Sequence, residues 1–245
     1  MGCGGCGKGL LTADDAFHGL CGECRNLFET AFAVEQRCVI CGRPLISEKT
    51  TCLSCRERGA AGSEVYNEWI LKLRTIFPYT GTLKKILGAY KFGKSVSLGN
   101  SFVRCLDSVQ KDFGLSAGEQ AAWVPVPPRP GKIRKQGWDQ IEYLAGLLER
   151  EYKHFRGHKN ENDSFPVRLP VCRCLKRLPS RSQKELNREE RGSNIKGRIL
   201  CTKQPPGTAV VFDDVYTTGA TMNACAKALH EGGAKKVYGV CLFYD

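Results

Sequence analysis

Val210-Val-Phe-Asp-Asp-Val-Tyr-Thr-Thr-Gly-Ala-Thr221 is the stretch from which the rest of the chain is read. Its apolar triplet, Val210, Val211 and Phe212, has the composition of a buried strand. Asp213 and Asp214 follow where such a strand leaves the core, and two adjacent carboxylates can accept hydrogen bonds from neighbouring ribose hydroxyls. Thr217, Thr218 and Thr221 then offer hydroxyl donors around Gly219 and Ala220, and the glycine lets the backbone turn closely about a phosphate. A helix is expected from Met222, so its free N–H groups and the positive end of its dipole face that anion. Diol acceptors beside a phosphate nest describe a site for a ribose 5-phosphate.

Working outward, Ala121-Ala-Trp-Val-Pro-Val126 reads as a short apolar strand stopped by prolines, and Val237 to Phe243 as a final strand. Val167 to Leu175 alternates loosely as another. Helical spacing recurs in Leu83, Ile86, Leu87 and Tyr90, from Leu98 to Val109, in Ile141, Leu144, Leu148, Tyr152 and Phe155, and from Met222 to Glu231. Residues 156–166 read as a polar loop, and residues 176–200 are too charged to be core. Strands separated by helices predict a Rossmann-like α/β domain with a mostly parallel sheet and a ligand at the carboxyl ends of its strands. Gly59-Ala-Ala-Gly-Ser63 has the composition of a hinge. The expected division is a cysteine-rich, zinc-ribbon-like module over 1–60, a linker over 61–78 and the α/β domain over 79–245.

Gly88-Ala-Tyr-Lys-Phe-Gly-Lys-Ser95 matches the pattern of a nucleotide-binding P-loop, but such a loop must follow a buried strand. Leu83-Lys-Lys-Ile-Leu87 has helical spacing instead, so the match is a coincidence.

Fourteen cysteines are present, and eight form C-x-x-C pairs in the first 55 residues. Cys3/Cys6, Cys21/Cys24, Cys38/Cys41 and Cys52/Cys55 have the spacing of zinc ligands in a reducing compartment. They suit two zinc sites of four cysteines each, and the loop lengths allow either sequential or cross-braced pairing. A module of this size depends on its metal to fold. Cys105, Cys172, Cys174, Cys201, Cys225 and Cys241 read as small apolar residues. The four histidines are scattered and carry no assignment.

The formal net charge is +12, yet residues 1–60 hold seven basic and seven acidic side chains. Residues 168–203 hold eleven basic and three acidic ones. A cationic α/β part beside a neutral module suits polyanions, either phosphorylated sugars or nucleic acid, and leaves the module for docking to protein. No apolar run approaches the roughly 18 residues of a membrane span. The start lacks the apolar stretch of a signal peptide, so a cytoplasmic protein without membrane insertion is expected.

Trp123-Val-Pro-Val-Pro-Pro128 leads into Arg129, Lys132, Arg134 and Lys135 before the next helix, an arrangement suited to clamping a pyrophosphate. Lys176 to Asn194 is polar and cationic, as expected of a loop that closes over a bound diphosphate or lies along a nucleic-acid backbone.

The stretch from Val210 to Thr221 resembles the signature of the type I phosphoribosyltransferases. Taken together, the segments resemble the competence protein F (ComF) family. Val124-Pro-Val-Pro127 and Gln136-Gly-Trp-Asp-Gln140 are similar to that family's V-P-V-P and R-G-F-N-Q. Arg177, Ser180, Gln183, Leu186, Arg191 and Asn194 follow its R-x-x-T-x-x-Q-x-x-L-x-x-x-x-R-x-x-N, and Lys91-Phe-Gly-Lys94 looks like its K-F-x-G. An N-terminal cysteine cluster is also typical. The chain departs from the pattern at Gln136, Trp138, Asp139 and Ser180. The resemblance implies a phosphoribosyltransferase fold that binds phosphoribosyl pyrophosphate with magnesium. Asp213 and Asp214 would be its catalytic carboxylates, Thr217 to Thr221 its phosphate turn, and Arg129, Lys132 and Arg134 its pyrophosphate clamp. It also implies a part in DNA uptake during natural transformation, with single-stranded DNA and other competence proteins as partners. No base-recognition residues are legible, so the acceptor stays open. Among the few aromatics of the basic part, Trp138 is the clearest stacking candidate.

Overall fold

The computed structural model describes residues 2–60, 68–115, 120–157, 168–179, 195 and 197–245. Strands β1 (Lys72–Pro78), β2 (Ala121–Pro125), β5 (Thr208–Tyr216) and β6 (Lys236–Tyr244) form a four-stranded sheet in the order β1-β6-β5-β2. Every pairing in it is parallel. The short strands β3 (Leu175–Arg177) and β4 (Ile199–Cys201) make a separate antiparallel pair.

Strand alternation sorts the core into two layers. Trp123, Val210, Phe212, Val240 and Leu242 point to the face covered by α4 (Gly81–Lys91), α5 (Leu98–Gln110) and α7 (Gln140–Gly157). Val124, Ala209, Val211, Val237 and Cys241 point to the other, covered by α8 (Ala220–Glu231) and the β3–β4 pair. Apolar residues on both faces make these strands continuous hydrophobic runs, as a sheet buried on both sides requires.

The cysteine-rich part attaches to both layers. Helices α1 (Ala13–His18) and α2 (Gly22–Phe32) lie with the first four cysteines against α5 and β1. Phe28 of α2 stacks on Phe77 of β1 at 4.1 Å between ring centroids. His18, left unassigned from sequence, is buried: its Nδ1 pairs with Ser101 Oγ at 3.0 Å, while Arg104 Nη1 donates to Nε2 at 3.1 Å. The next four cysteines, with α3 (Leu53–Ala60), pack in the opposite layer beside Ile70 and Leu73. Gly42 is the contact point. Its carbonyl accepts from Thr75 N, and Arg37 Nη1 donates to the Thr75 carbonyl at 2.9 Å. Strand β1 lies at the sheet edge, and this module covers part of it.

Several expectations change. Strand β1 falls inside residues 61–78, read as a linker, because Lys72 and Arg74 interrupt its apolar run; residues 61–67 lie outside the described ones. Strand β5 continues past Phe212 to Tyr216, held by β6 alone beyond the end of β2. The strand expected over Val167 to Leu175 is reduced to a single bridge, Trp123 to Val171, before β3. Within 176–200, expected to stay out of the core, Arg177, Ile195 and Ile199 are buried. Residues 158–167 and 180–194, including most of the expected lid, lie outside the described residues. Gly88 to Lys91 belong to α4, which disposes of the P-loop match.

Gly42 has φ +70°, and a Cβ there would come within 2.0 Å of the Leu73 carbonyl oxygen. Left-handed strain and a backbone clash act together, so Gly42→Ala is expected to destabilise the chain by about 2–4 kcal/mol. Thermal unfolding of the variant against wild type checks it, and an unchanged midpoint would mean that the module does not dock on β1 in this way.

Candidate ligand site and metal centres

Strand β5 pairs with β2 only as far as Phe212, opposite Pro125, and then runs on beside β6. Asp213 and Asp214 therefore stand just past the carboxyl end of β2, where a parallel sheet opens a crevice. The chain turns through Thr217 and Thr218 to Gly219, whose φ of +84° makes it the N-cap of α8. A side chain at Gly219 would strike the Tyr216 ring, with a Cβ 2.6 Å from its hydroxyl oxygen. The helix begins at Ala220, two positions before the expected Met222, so its first free amides lie within the threonine turn itself. Asp213 and residues 215–222 line one pocket, which Asp214 does not reach.

The two carboxylates differ. Asp214 is buried, and its Oδ2 accepts from Lys91 Nζ at 2.5 Å and from Gln140 Nε2 at 2.7 Å. Burial works against its charge, but Lys91 and Gln140 outweigh that and hold the carboxyl below the usual range. Lys91 is in turn held charged by Asp214 against its own burial. Asp213 is partly buried and accepts the Asp214 N–H on Oδ1 at 2.8 Å. Burial first, and then the Asp214 charge, push its carboxyl up to about 8. The surroundings thus favour the charged form of Asp214 and the neutral form of Asp213.

A polar chain leads away from this pair. Gln140 Oε1 accepts from Lys132 Nζ at 2.6 Å, and Lys132 also donates to Asp139 Oδ2 at 2.6 Å. Asp139 caps α7 by accepting the amides of Ile141 and Glu142 on Oδ1, both at 3.0 Å. Tyr90 donates its hydroxyl to the Gln140 carbonyl at 2.7 Å. Lys91, Gln140 and Tyr90 belong to the site and were not assigned to it from sequence. The first two stand inside the quoted Lys91-Phe-Gly-Lys94 and Gln136-to-Gln140 motifs, which was the only signal available.

The basic residues divide. Lys132 is engaged by Asp139 and Gln140, and Arg134 is exposed on α6 (Lys132–Gln136). Arg129 is partly buried and lies close enough to Arg177 to act on its charge. Trp138, the expected stacking platform, packs instead between Tyr143 at 4.9 Å and Tyr90 at 5.7 Å.

The eight paired cysteines form two groups, Cys3/Cys6/Cys21/Cys24 and Cys38/Cys41/Cys52/Cys55, so the pairing is sequential. Within each group all sulfurs lie within 4.8 Å of one another. Cys6 and Cys21 are 3.6 Å apart, Cys41 and Cys52 3.7 Å. A zinc tetrahedron with ~2.3 Å bonds has edges of about 3.8 Å, so both groups fit the ion. Amides of Gly5 and Cys21 donate to Cys3 Sγ, and Cys52 N donates to Cys38 Sγ. Burial opposes a thiolate at Cys3, yet the amides of Cys21, Cys6 and Gly5, with the Cys24 thiol, bring it down to about 6. Such N–H donors steady thiolate ligands. Of the remaining six, Cys105, Cys174, Cys225 and Cys241 are buried as expected, while Cys172 and Cys201 are partly exposed.

No family model matches the chain. Competence protein ComFC of Streptococcus pneumoniae (strain ATCC BAA-255 / R6) is 28% identical over 229 residues, 93% of this chain and 88% of the relative. Competence protein ComFC of Bacillus subtilis (strain 168) is 23% identical over 229 residues, 91% of this chain and 82% of the relative. The resemblance to the ComF family therefore holds over most of the chain. Among the described residues no helix is long and apolar enough to cross a membrane.

Two outcomes follow for this site. Metal analysis of the purified chain should return two zinc ions, and Cys24→Ser, with one ligand lost from a buried group, should return one and unfold at lower temperature. Full zinc content in that variant would contradict the assignment. For Asp213, the unfolded carboxyl ionises near pH ~4 while the folded one stays protonated up to about 8. The folded state binds the extra proton, so this group makes stability fall as pH rises through that window. Asp213→Asn should flatten the fall and be more stable than wild type at about pH 8; an unaltered pH profile in chemical denaturation would contradict it.

Proposed function

We propose that this chain binds phosphoribosyl pyrophosphate with magnesium through Val210 to Thr221, as a phosphoribosyltransferase-like protein. The observation that carries the reading is the split aspartate pair past the end of β2, followed directly by a glycine-capped helix start. The amides of the threonine turn would take the 5-phosphate, and Asp213 the sugar hydroxyls, with Asp214 fixed behind it by Lys91 and Gln140. The residues fit a magnesium-bearing diphosphate: Asp213 supplies an acceptor next to a cationic approach that includes Arg129. Magnesium would neutralise the charge that gathers on the leaving diphosphate. In a transfer, the C1–O bond of the ribose loosens ahead of attack by a nitrogen nucleophile, and the positive ring is faced by the aspartate pair.

The name of the two relatives supports a second reading, that the chain serves competence; in that reading it handles single-stranded DNA during uptake together with other competence proteins, as the family resemblance implies. The surplus of cationic side chains outside residues 1–60 is compatible with it. The two readings coexist if sugar-phosphate binding survives without turnover. Residues 79–245 would carry the ligand site, and the neutral cysteine-rich module would dock protein partners.

Calorimetric titration of phosphoribosyl pyrophosphate with magnesium tests the first reading. Saturable binding to wild type, lost in Asp213→Asn/Asp214→Asn, is expected. Absence of binding to wild type would sink it and leave the nucleic-acid reading standing.

A further inference from the structure

Six cysteines lie outside the two metal groups, and three of them meet at one place. Cys172 and Cys174 stand in the segment that enters β3, and Cys201 ends β4. The Cys174 thiol is within side-chain hydrogen-bond reach of both Cys172 and Cys201. Cys174 is buried, whereas Cys172 and Cys201 are partly exposed. The three are expected from sequence to be small apolar residues; together they form a thiol cluster with two members reached from solvent and one behind them.

This cluster is not a third metal centre. Among the described residues, only the two groups of four bring three or more ligand atoms within metal range. Its geometry suits a disulfide. Leu175 pairs with Cys201 across the β3–β4 ladder, and Thr202 N donates to the Cys174 carbonyl at 2.8 Å. Cys174 and Cys201 are therefore one residue out of register on adjacent chains. Strands ~4.8 Å apart, with a rise of ~3.4 Å per residue, set their Cα atoms about 6 Å apart, a separation that a disulfide bridges. Cys172 and Cys174 share one segment, and two extended residues span roughly 7 Å, at the outer limit of that range. Gly232, at the end of α8, makes room for the Cys201 sulfur, since a Cβ there would lie 2.7 Å from it.

We propose that Cys174 and Cys201 are a reversible thiol–disulfide couple, oxidised by small-molecule disulfides. Cys201 gives up its proton and attacks one sulfur of the small disulfide. A mixed disulfide forms, and the other half leaves as a thiol. Cys174 then gives up its proton and attacks Cys201 Sγ, which forms the Cys174–Cys201 bond and releases the second half as a thiol. Two protons and two electrons pass from the chain to the small molecule, and no further reactant is needed. The order follows from burial, which together with the Cys172 and Cys201 thiols pushes the Cys174 thiol up and keeps it from reacting first. The bridge ties the entry of β3 to β4, the pair that covers one face of the sheet beside α8.

The test incubates the chain with oxidised glutathione, blocks the remaining thiols and digests with trypsin in the absence of reductant. Cleavage after Arg168, Arg173, Lys176, Arg198 and Lys203 puts Cys172, Cys174 and Cys201 on separate peptides, 169–173, 174–176 and 199–203. The expected product is 174–176 linked to 199–203, and reduced glutathione should remove the link. Cys201→Ser should abolish it, and Cys172→Ser should leave it. Oxidised wild type should unfold at a higher temperature than reduced wild type, because the bridge closes residues 175–200 into a loop, and Cys201→Ser should show no such rise. A link made chiefly through Cys172, or glutathione left on Cys201 without closure, overturns the proposal. So does oxidation confined to the eight paired cysteines, or no oxidation at all.

Discussion

Asp214 carries a negative charge in a buried place because Lys91 and Gln140 donate to the same oxygen. Each donor comes from a different part of the α/β fold. Lys91 ends α4, Gln140 begins α7, and Asp214 stands on the central strand β5. The contact forms only when both helices lie on one face of the sheet with their ends at its carboxyl edge. Removing one partner would leave a buried charge unmatched, which costs far more than an exposed ion pair contributes. The ion pair thus ties the helical layer to the sheet where a ligand would bind, and it leaves Asp213 as the carboxylate that answers to its surroundings.

The cysteine-rich modules bear on the same frame from farther away. Gly4 packs against Leu98 and Ala89, and Gly5 against Thr82, so the first metal group rests on α4 and α5. Gly42 of the second group rests on β1, and Arg43 reaches the last residue, donating to the Asp245 carbonyl at 2.7 Å and lying over the Tyr244 ring. A segment with so few large apolar side chains gains order chiefly from metal. Zinc held by these groups would therefore bear on the sheet edge and on the two helices that lead to Lys91.

Much of this was legible in the sequence where one signal dominated. Val210 to Phe212 and Val237 to Phe243 are apolar on both faces and could only be central strands. Leu83, Ile86, Leu87 and Tyr90 keep helical spacing, and all four are buried in α4. The cysteine spacing gave both metal groups. Strand β1 was hidden because Lys72, exposed at the sheet edge, and Arg74, paired with Asp112, break its apolar run. The length of β5 was hidden because Asp213 and Asp214 look like the end of a strand when only their polarity is read; pairing with β6 carries them on. Lys91 and Gln140 are distant in sequence from the carboxylate they hold, and nothing in spacing alone brings Lys91 near Asp214. Trp138 could not be told apart from a stacking platform until its packing between Tyr90 and Tyr143 was seen.

A crystal structure of the chain grown with phosphoribosyl pyrophosphate and magnesium addresses the central claim most directly. The account predicts the 5-phosphate on the amides between Thr217 and Thr221, with the ribose hydroxyls within hydrogen-bond distance of Asp213 and the Lys91–Asp214 contact intact. Ligand bound elsewhere, or a threonine turn left empty at saturating concentration, would contradict it.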